Sequence, residues 1–368
     1  MHIGLIIYGT LDTVSGGYLY DRKLVAHLRA AGETVEIVSL PWTNYGRHLA
    51  HNWSRKLQKQ VENGRFDLLL QDELNHPSLF WLNRRLRGQV PLVSIVHHLR
   101  CSEARPAWQN WLYRQVERRY LASVDGFVFN SETTRRVTEE LVGKKRPFVV
   151  ATPAGDRFNP TITPSEVAAR AQQTAPLQLL FVGNLIPRKG LHTLLDALAT
   201  LPRSDWRLAV VGETAVSPAY TTHIQCQIAQ YNLAANVTLH GSLSDDALAD
   251  QFARSHLLVV PSSYEGFGIV YLEAMAFGLP AIGTTAGAAS EIIHDGDNGF
   301  LIAPDDTVAL AQQLTILHQD RALLTRLSLS ALAHSHRWPT WGESMAKIHQ
   351  FLATFPKIRG SRGAGEQG

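Results

Sequence analysis

Cysteine is nearly missing from this chain. Cys101 and Cys226 are the two in 368 residues, they lie far apart, and no Cys-x-x-Cys occurs. That excludes a disulfide framework and a cysteine-based zinc site, and it fits a reducing, cytoplasmic setting. No apolar run approaches the ~18 residues that a membrane span would need. The start, Met1-His-Ile-Gly-Leu-Ile-Ile-Tyr8, has no basic stretch before its apolar residues, so it reads as a first strand and not as a signal peptide. Internal repeats and long low-complexity segments are absent. So is a Gly-x-Gly-x-x-Gly after the first strand, where Gly9, Gly16 and Gly17 stand at other spacings. This counts against a dinucleotide-dependent oxidoreductase.

What is present is an ordinary globular composition, 45% hydrophobic and 18% charged. The length suits two α/β domains. Charge is uneven. Residues 1–170 carry 23 Lys and Arg against 16 Asp and Glu, whereas the chain as a whole is only +3. A basic first half suits either an anionic partner or a plain solvated surface.

Short apolar strands alternate with amphipathic helices, the pattern of parallel sheets covered on both faces. Strands are expected at Ile3–Tyr8, Val35–Ser39, Asp67–Leu70, Leu92–Val96, Gly126–Phe129 and Phe148–Val150, with helices near 17–31, 53–62, 77–86, 107–121 and 132–141. Pro160, Pro164 and Pro176 punctuate an Ala-, Gln- and Thr-rich stretch with one short helix at 165–173. The alternation then restarts, with strands at Leu177–Val182, Arg207–Val211, Val237–Leu239, Leu257–Val260 and Ala281–Ile282 and a last helix from Trp341 to Phe355. The expected division is 1–172, 173–339, a C-terminal helix at 340–356 and a glycine-rich, charged, disordered tail at 357–368.

One stretch organises the second half. Ser263-Tyr-Glu-Gly-Phe-Gly-Ile-Val-Tyr-Leu-Glu-Ala-Met-Ala-Phe-Gly-Leu-Pro280 follows an apolar strand and reads as a glycine-bearing loop and a helix stopped by Gly278 and Pro280. Gly266 and Gly268 let the backbone approach a ligand, and a helix start offers N–H groups to an anion. Glu265 and Glu273 can both reach a pocket beyond the strand ends, where open α/β sheets bind ligands. The loop Phe181-Val-Gly-Asn-Leu-Ile-Pro-Arg-Lys-Gly190 puts Arg188 and Lys189 just before another helix, a fork and a point charge for phosphate oxygens.

Glu-x7-Glu with an internal Gly-Phe-Gly resembles the signature of the retaining glycosyltransferases of family 4, which have the GT-B fold. The resemblance is strong over 179–305 and weaker in the first half. It implies an α/β protein of two Rossmann-like domains facing each other across a cleft. The first would take the acceptor, the second the nucleotide sugar, and the last helix would cross back to the first. It also assigns roles. Glu265 would hold donor-sugar hydroxyls, helped by N–H groups at Gly266, Phe267, Gly268 and Ile269. Glu273 would bind ribose hydroxyls. Arg188 and Lys189 would neutralise the departing diphosphate, beside Gly183 and Asn184, where many relatives carry arginine at the latter position. Ser242 and Leu243 would approach the base, and the loop Thr284-Thr-Ala-Gly-Ala-Ala-Ser-Glu291 would keep the pocket open.

In the first domain the resemblance matches Gly16 and Gly17 to a turn that approaches the donor, and His97 to a histidine facing the donor sugar. His98 and Arg100 would line the acceptor side.

The implied enzyme is a hexosyltransferase that needs no cofactor or metal, since cations replace it and no Asp-x-Asp motif stands near these residues. Its partners would be a UDP-, GDP- or ADP-sugar and a hydroxyl acceptor on a glycolipid, polysaccharide or small glycoside, with no nucleic acid. The alternatives are a phosphorylase of the same fold and a non-catalytic partner subunit. Trp108, Trp111, Tyr113, Arg114, Arg118 and Arg119 form a mix found on interfacial helices, which adds peripheral contact with the inner membrane as an expectation.

Overall fold

The structure, a computed structural model, describes residues 1–13, 15–103, 105–143, 145–158 and 160–356. The tail at 357–368 lies outside them, as do Val14 and Asn159. The chain divides into two compact units, Met1–Thr152 together with the residues from Gly342 onward, and Pro153–Trp341.

Among the described residues the first unit holds a six-stranded sheet: β1 (His2–Tyr8), β2 (Thr34–Leu40), β3 (Leu68–Asp72), β4 (Leu92–Val96), β5 (Gly126–Phe129) and β6 (Phe148–Val150). Their order is β2-β1-β3-β4-β5-β6, and every pairing is parallel. The inner strands β1, β3, β4 and β5 are almost wholly buried, as strands covered on both faces are, whereas the edge strand β2 alternates buried and exposed residues. The first helix, Gly16–Ala30, starts where Ser15 Oγ accepts from Tyr18 N and buries Tyr18, Asp21, Leu24, Val25 and Leu28. The helix expected near 53–62 forms at Arg55–Asn63, capped by Ser54 Oγ. The one expected at 77–86 is broken into His76–Leu79 and Leu82–Leu86. There the Trp81 N–H goes to Asn52 Oδ1 at 2.8 Å and not to a helix carbonyl. The helix Trp341–Leu352 closes this unit: Ser344 Oγ donates to Thr152 O, Lys347 Nζ to Val150 O, and His349 Nε2 meets Glu33 Oε1 at 2.9 Å.

The second unit holds another six-stranded parallel sheet: β7 (Leu177–Val182), β8 (Trp206–Val211), β9 (Val237–Gly241), β10 (Leu257–Val259), β11 (Ala281–Thr284) and β12 (Gly299–Ile302), in the order β12-β11-β10-β7-β8-β9. The edge strand β12 is the strand that the sequence pattern misses. It is four residues long and half-exposed at its centre, so it shows neither a long apolar run nor a full alternation. The helix Pro164–Ala171, begun by a Thr163–Glu166 capping box, belongs to this unit. Arg170 on it donates to Ala253 O, Phe277 O and Gly278 O.

The loop before the helix Leu191–Ala199 is pressed onto the end of β10. Gly190 has φ +71°, and a Cβ there would lie 2.0 Å from Pro261 O. Gly143 has a similar φ of +67° with nothing within 4 Å of such a Cβ. Gly143→Ala should therefore cost only the backbone strain, about 1 kcal/mol. Gly190→Ala should cost clearly more, because carbonyl and loop must separate. Urea unfolding of both variants measures the difference, and equal losses would mean that the loop is not held against β10.

Candidate active site

In the second unit the C-terminal ends of β7 and β10 bring the sequence-predicted residues together. Lys189 Nζ donates to Glu265 Oε2 at 2.7 Å, and Ser262 Oγ donates to the same oxygen at 3.1 Å. Arg188 Nη1 lies 3.9 Å from Glu265 Oε1 and donates to Tyr264 O at 2.7 Å. Gly183 leaves room for the Lys189 stem, since a Cβ there would sit 3.4 Å from its Cδ. The loop after β11 completes the frame. Gly287, at φ +87°, would place a Cβ 2.0 Å from Glu265 O, so only glycine lets this backbone pair with that of Glu265. Burial alone would raise the Glu265 carboxyl. Lys189 and Arg188 outweigh it and hold the group down at about 2. Glu265 is thus a carboxylate at neutral pH, able to accept from hydroxyls but with no proton to give.

Glu273 lies on the helix Ile269–Ala276, whose start at Gly268 (φ +98°) has no side-chain cap. It is buried, and its partner is Arg157, which the sequence reading did not single out. Arg157 Nη1 reaches Glu273 Oε1 at 3.4 Å, and Arg157 also pairs with Asp245. Burial pushes the Glu273 carboxyl up, and Arg157 opposes that. Glu265 and Glu273 therefore share no partner. Asn184 and Ser242 converge elsewhere: Asn184 Oδ1 accepts from Glu213 N at 3.4 Å, and Ser242 Oγ donates to Glu213 Oε2 at 3.2 Å. Leu243 packs on the core beside them.

In the first unit Gly17 and His97 meet: a Cβ on Gly17 would lie 3.3 Å from His97 Cδ2. The His97 ring also meets the Tyr20 edge at 5.3 Å, and His97 O accepts from Asn130 Nδ2. Its Nε2 lies 3.4 Å from Asp21 Oδ1 on the first helix, and Asp21 is fully buried. Asp72, at the end of β3, completes a cluster in which ligand-type atoms of Asp21, Asp72 and His97 lie within 4.8 Å of one another. Such a set suits a proton or a cation. Burial and then the Asp21 charge push the Asp72 carboxyl up to about 7. Burial alone would lower the His97 imidazole. Asp21 and Asp72 outweigh it and hold it above the ordinary histidine value. Asp21 was legible as a carboxylate on the apolar stripe of Leu24, Val25 and Leu28. Asp72 and Glu73 were legible as acids ending a strand.

His98 and Arg100 do not reach the His97 cluster. His98 Nε2 pairs with Glu103 at 2.9 Å. The Arg100 guanidinium lies over Tyr113 at 4.9 Å and Tyr45 at 5.5 Å, and the Arg100 backbone N–H donates to buried Glu117 at 2.6 Å. A second cluster, Glu73, His76 and Glu117, lies on this side. Both His76 nitrogens are engaged, by Glu73 O and Tyr45 OH.

Paired parallel α/β units, with two cations and an ionised carboxylate at the strand ends of one, have the build of the transferase class that the sequence motifs suggest. The comparisons agree. Residues 19–155 match the "Glycosyl transferase 4-like domain" and residues 165–332 the "Glycosyl transferases group 1" family. The D-inositol 3-phosphate glycosyltransferase of Nocardia farcinica is 28% identical over 81% of this chain and 69% of its own length. Other such enzymes match over less of theirs, for example 53% in the Streptomyces avermitilis protein. The phosphatidyl-myo-inositol mannosyltransferase of Mycobacterium leprae is 26% identical over 96% of this chain and 98% of its own. Anabaena Alr3699/HepE, solved with UDP-glucose, has a TM-score of 0.77 at 20% identity, covering 96% of this chain and all of that one. The chain belongs to the family 4, group 1 glycosyltransferases and has their GT-B fold.

Two outcomes follow from the geometry. Lys189→Met leaves buried Glu265 with the Ser262 hydroxyl and, as its cation, only the more distant Arg188, which should cost about 3–5 kcal/mol in urea unfolding. Wild-type stability should fall as pH drops from about the ordinary carboxylate value of 4.5 towards 2, because the depressed Glu265 must then be protonated. In Lys189→Met that acid-side loss should shrink. For the other cluster, stabilisation by the raised His97 is complete below its ordinary 6.5 and is lost as pH rises through the folded value. In Asp21→Asn an NMR titration of His97 should therefore move down, since burial then acts with less opposition. An unmoved midpoint would dismiss the Asp21 contact.

Proposed function

We propose that this chain is a retaining hexosyltransferase that takes its sugar from a nucleoside diphosphate and passes it to a hydroxyl acceptor. The single observation that carries this is the Lys189–Glu265–Arg188 arrangement: two cations and a carboxylate held ionised, side by side at the strand ends. The cations meet the two phosphates, whose charge grows as the bond to the anomeric carbon breaks. Glu265 accepts from sugar hydroxyls, with backbone N–H groups of the 266–269 loop beside it. Glu273 takes the ribose hydroxyls, which must compete with Arg157. His97, set in orientation by Asp21, adds a hydrogen bond to the sugar.

The acceptor oxygen bonds to the anomeric carbon on the face from which the diphosphate departs. The carbon–oxygen bond to phosphate breaks, and the acceptor proton passes to the leaving phosphate oxygen, so no protein base is required. Charge at the diphosphate comes from Arg188 and Lys189, and the reading assigns no metal to this step. UDP is the base to test first, because a neighbour of the same fold was solved with UDP-glucose.

The acceptor is a hydroxyl on an inositol-like or lipid-linked molecule, a reading supported by the names of the relatives. Peripheral membrane contact from the cytoplasmic side belongs to the same reading. No helix among the described residues is long and apolar enough to cross a membrane. The helix Ala107–Leu121, however, exposes Trp108 (63%), Trp111 (60%) and Leu112 (45%) on one face. Vesicle flotation should show binding that Trp108→Ser/Trp111→Ser weakens, and equal flotation of the two proteins would remove this contact.

The donor is tested by thermal shift against UDP, GDP, ADP and dTDP and their sugar conjugates. A nucleotide at about 100 times its dissociation constant adds roughly 2.7 kcal/mol. One base should stabilise the wild type and fail on Glu273→Ala and Lys189→Ala. No shift with any nucleotide, in folded protein, would reject the donor site and favour a non-catalytic role.

A further inference from the structure

The strand ends that carry Asp72 and His97 form one edge of the first sheet. At the opposite edge, where the chain enters β4 and β5, lies a cavity of about 390 Å3 lined by Arg84, Arg87, Arg118 and Arg119 with Gln115 and Ser123. Arg84 and Arg87 lie at the end of the helix Leu82–Leu86. Arg118 and Arg119 occupy the last turn of Ala107–Leu121. Among the described residues, none of the four has a carboxylate within ion-pair distance. Arg84 stacks on Trp81 at 5.2 Å, and Arg119 Nη1 spends one donor on Gln115 O. A fifth guanidinium, Arg146, reaches Ala122 O at 2.7 Å. The nearby Asp125 gives one oxygen to Leu92 N.

Four unpaired guanidinium groups around one hollow repel one another. A helix C-terminus attracts basic side chains in its last turn, which accounts for Arg118 and Arg119. It does not account for their convergence with Arg84 and Arg87 from another segment. The volume corresponds to roughly a dozen waters, enough for a phosphorylated group. Guanidinium forks are the donors that match phosphate oxygens in geometry and charge.

We propose that this hollow is a second anion site, separate from the donor site, that takes a phosphate-bearing ligand, either a soluble phosphate or the phosphorylated headgroup of a lipid. It does not rest on the transferase reading. The site acts by charge, so its binding weakens with added salt.

The test uses the whole chain and the exposed pair Arg84→Gln/Arg118→Gln. An equal charge change on another helix, Arg55→Gln/Lys59→Gln, serves as control, and circular dichroism checks both folds. Calorimetric titration with inorganic pyrophosphate reads the soluble source. Flotation with phosphatidylglycerol-containing vesicles, against phosphatidylcholine alone, reads the headgroup source. Loss of one class of pyrophosphate sites in the first pair only, with affinity down at least about tenfold, establishes the site for soluble phosphate. Loss of phosphatidylglycerol-dependent flotation in that pair only establishes it for a headgroup. Wild type that binds neither probe, or a first pair that behaves like the wild type or the control with both, overturns it. Arg188→Gln, titrated alongside, reports pyrophosphate at the donor loop, so failure of the donor reading shows separately.

Discussion

The bond between Lys189 and Glu265 governs how the second unit is built at its strand ends. A carboxylate that deep is costly unless paired, and the surrounding chain is arranged to pair it. Lys189 reaches Glu265 only because Gly190 lets the next helix start against Pro261. Arg188 and the 263–264 backbone exchange two hydrogen bonds, Arg188 Nη1 to Tyr264 O and Ser263 N to Arg188 O. Gly287 then brings the loop after β11 onto the Glu265 backbone. Three loops from three strands are thus fixed around one ion pair. The pair adds little net stability over an apolar packing, but it holds two cations and an acceptor ready for a charge that the chemistry delivers.

The first unit handles charge in the opposite way. Asp21 and Asp72 are buried close to one another with one imidazole, His97, and among the described residues no lysine or arginine lies within ion-pair distance of either carboxylate. The result is a cluster that holds protons: Asp72 is pushed up to about 7, and His97 is kept above its usual value. Such a cluster suits ligands rich in hydroxyls, which can both give and accept hydrogen bonds, more than it suits anions. Four arginines of this unit stand at the other end of its sheet, around the arginine-lined hollow, whereas Arg100, just after β4, stays beside Glu117 and Tyr113.

Arg157 links the two kinds of chemistry in the second unit. It keeps Glu273 from standing as an unpaired buried acid. On the proposed donor reading, ribose hydroxyls would compete with it for the same carboxylate. No periodicity or motif marked it, because an arginine between two turns looks like any surface residue until the chain is folded.

The sequence alone determined the strand-helix alternation and eleven of the twelve strands described here, and it singled out Arg188, Lys189 and Glu265, which the fold brings together. It could do so because apolar period, glycine and proline punctuation and charged residues at strand ends are local properties. It did not reveal β12, whose four residues become a strand only by pairing with β11. Nor did it assign the partners of buried charges. The spacing of Glu265 and Glu273 said nothing of their partners, and folding gave the first to Lys189 and the second to Arg157, 116 residues away. Arg100 was expected on the acceptor side, and only the fold shows that its guanidinium lies over Tyr113 and Tyr45. Burial, pairing and the shifts they cause depend on what lies across space, and a one-dimensional pattern carries no record of which distant side chain fills that place.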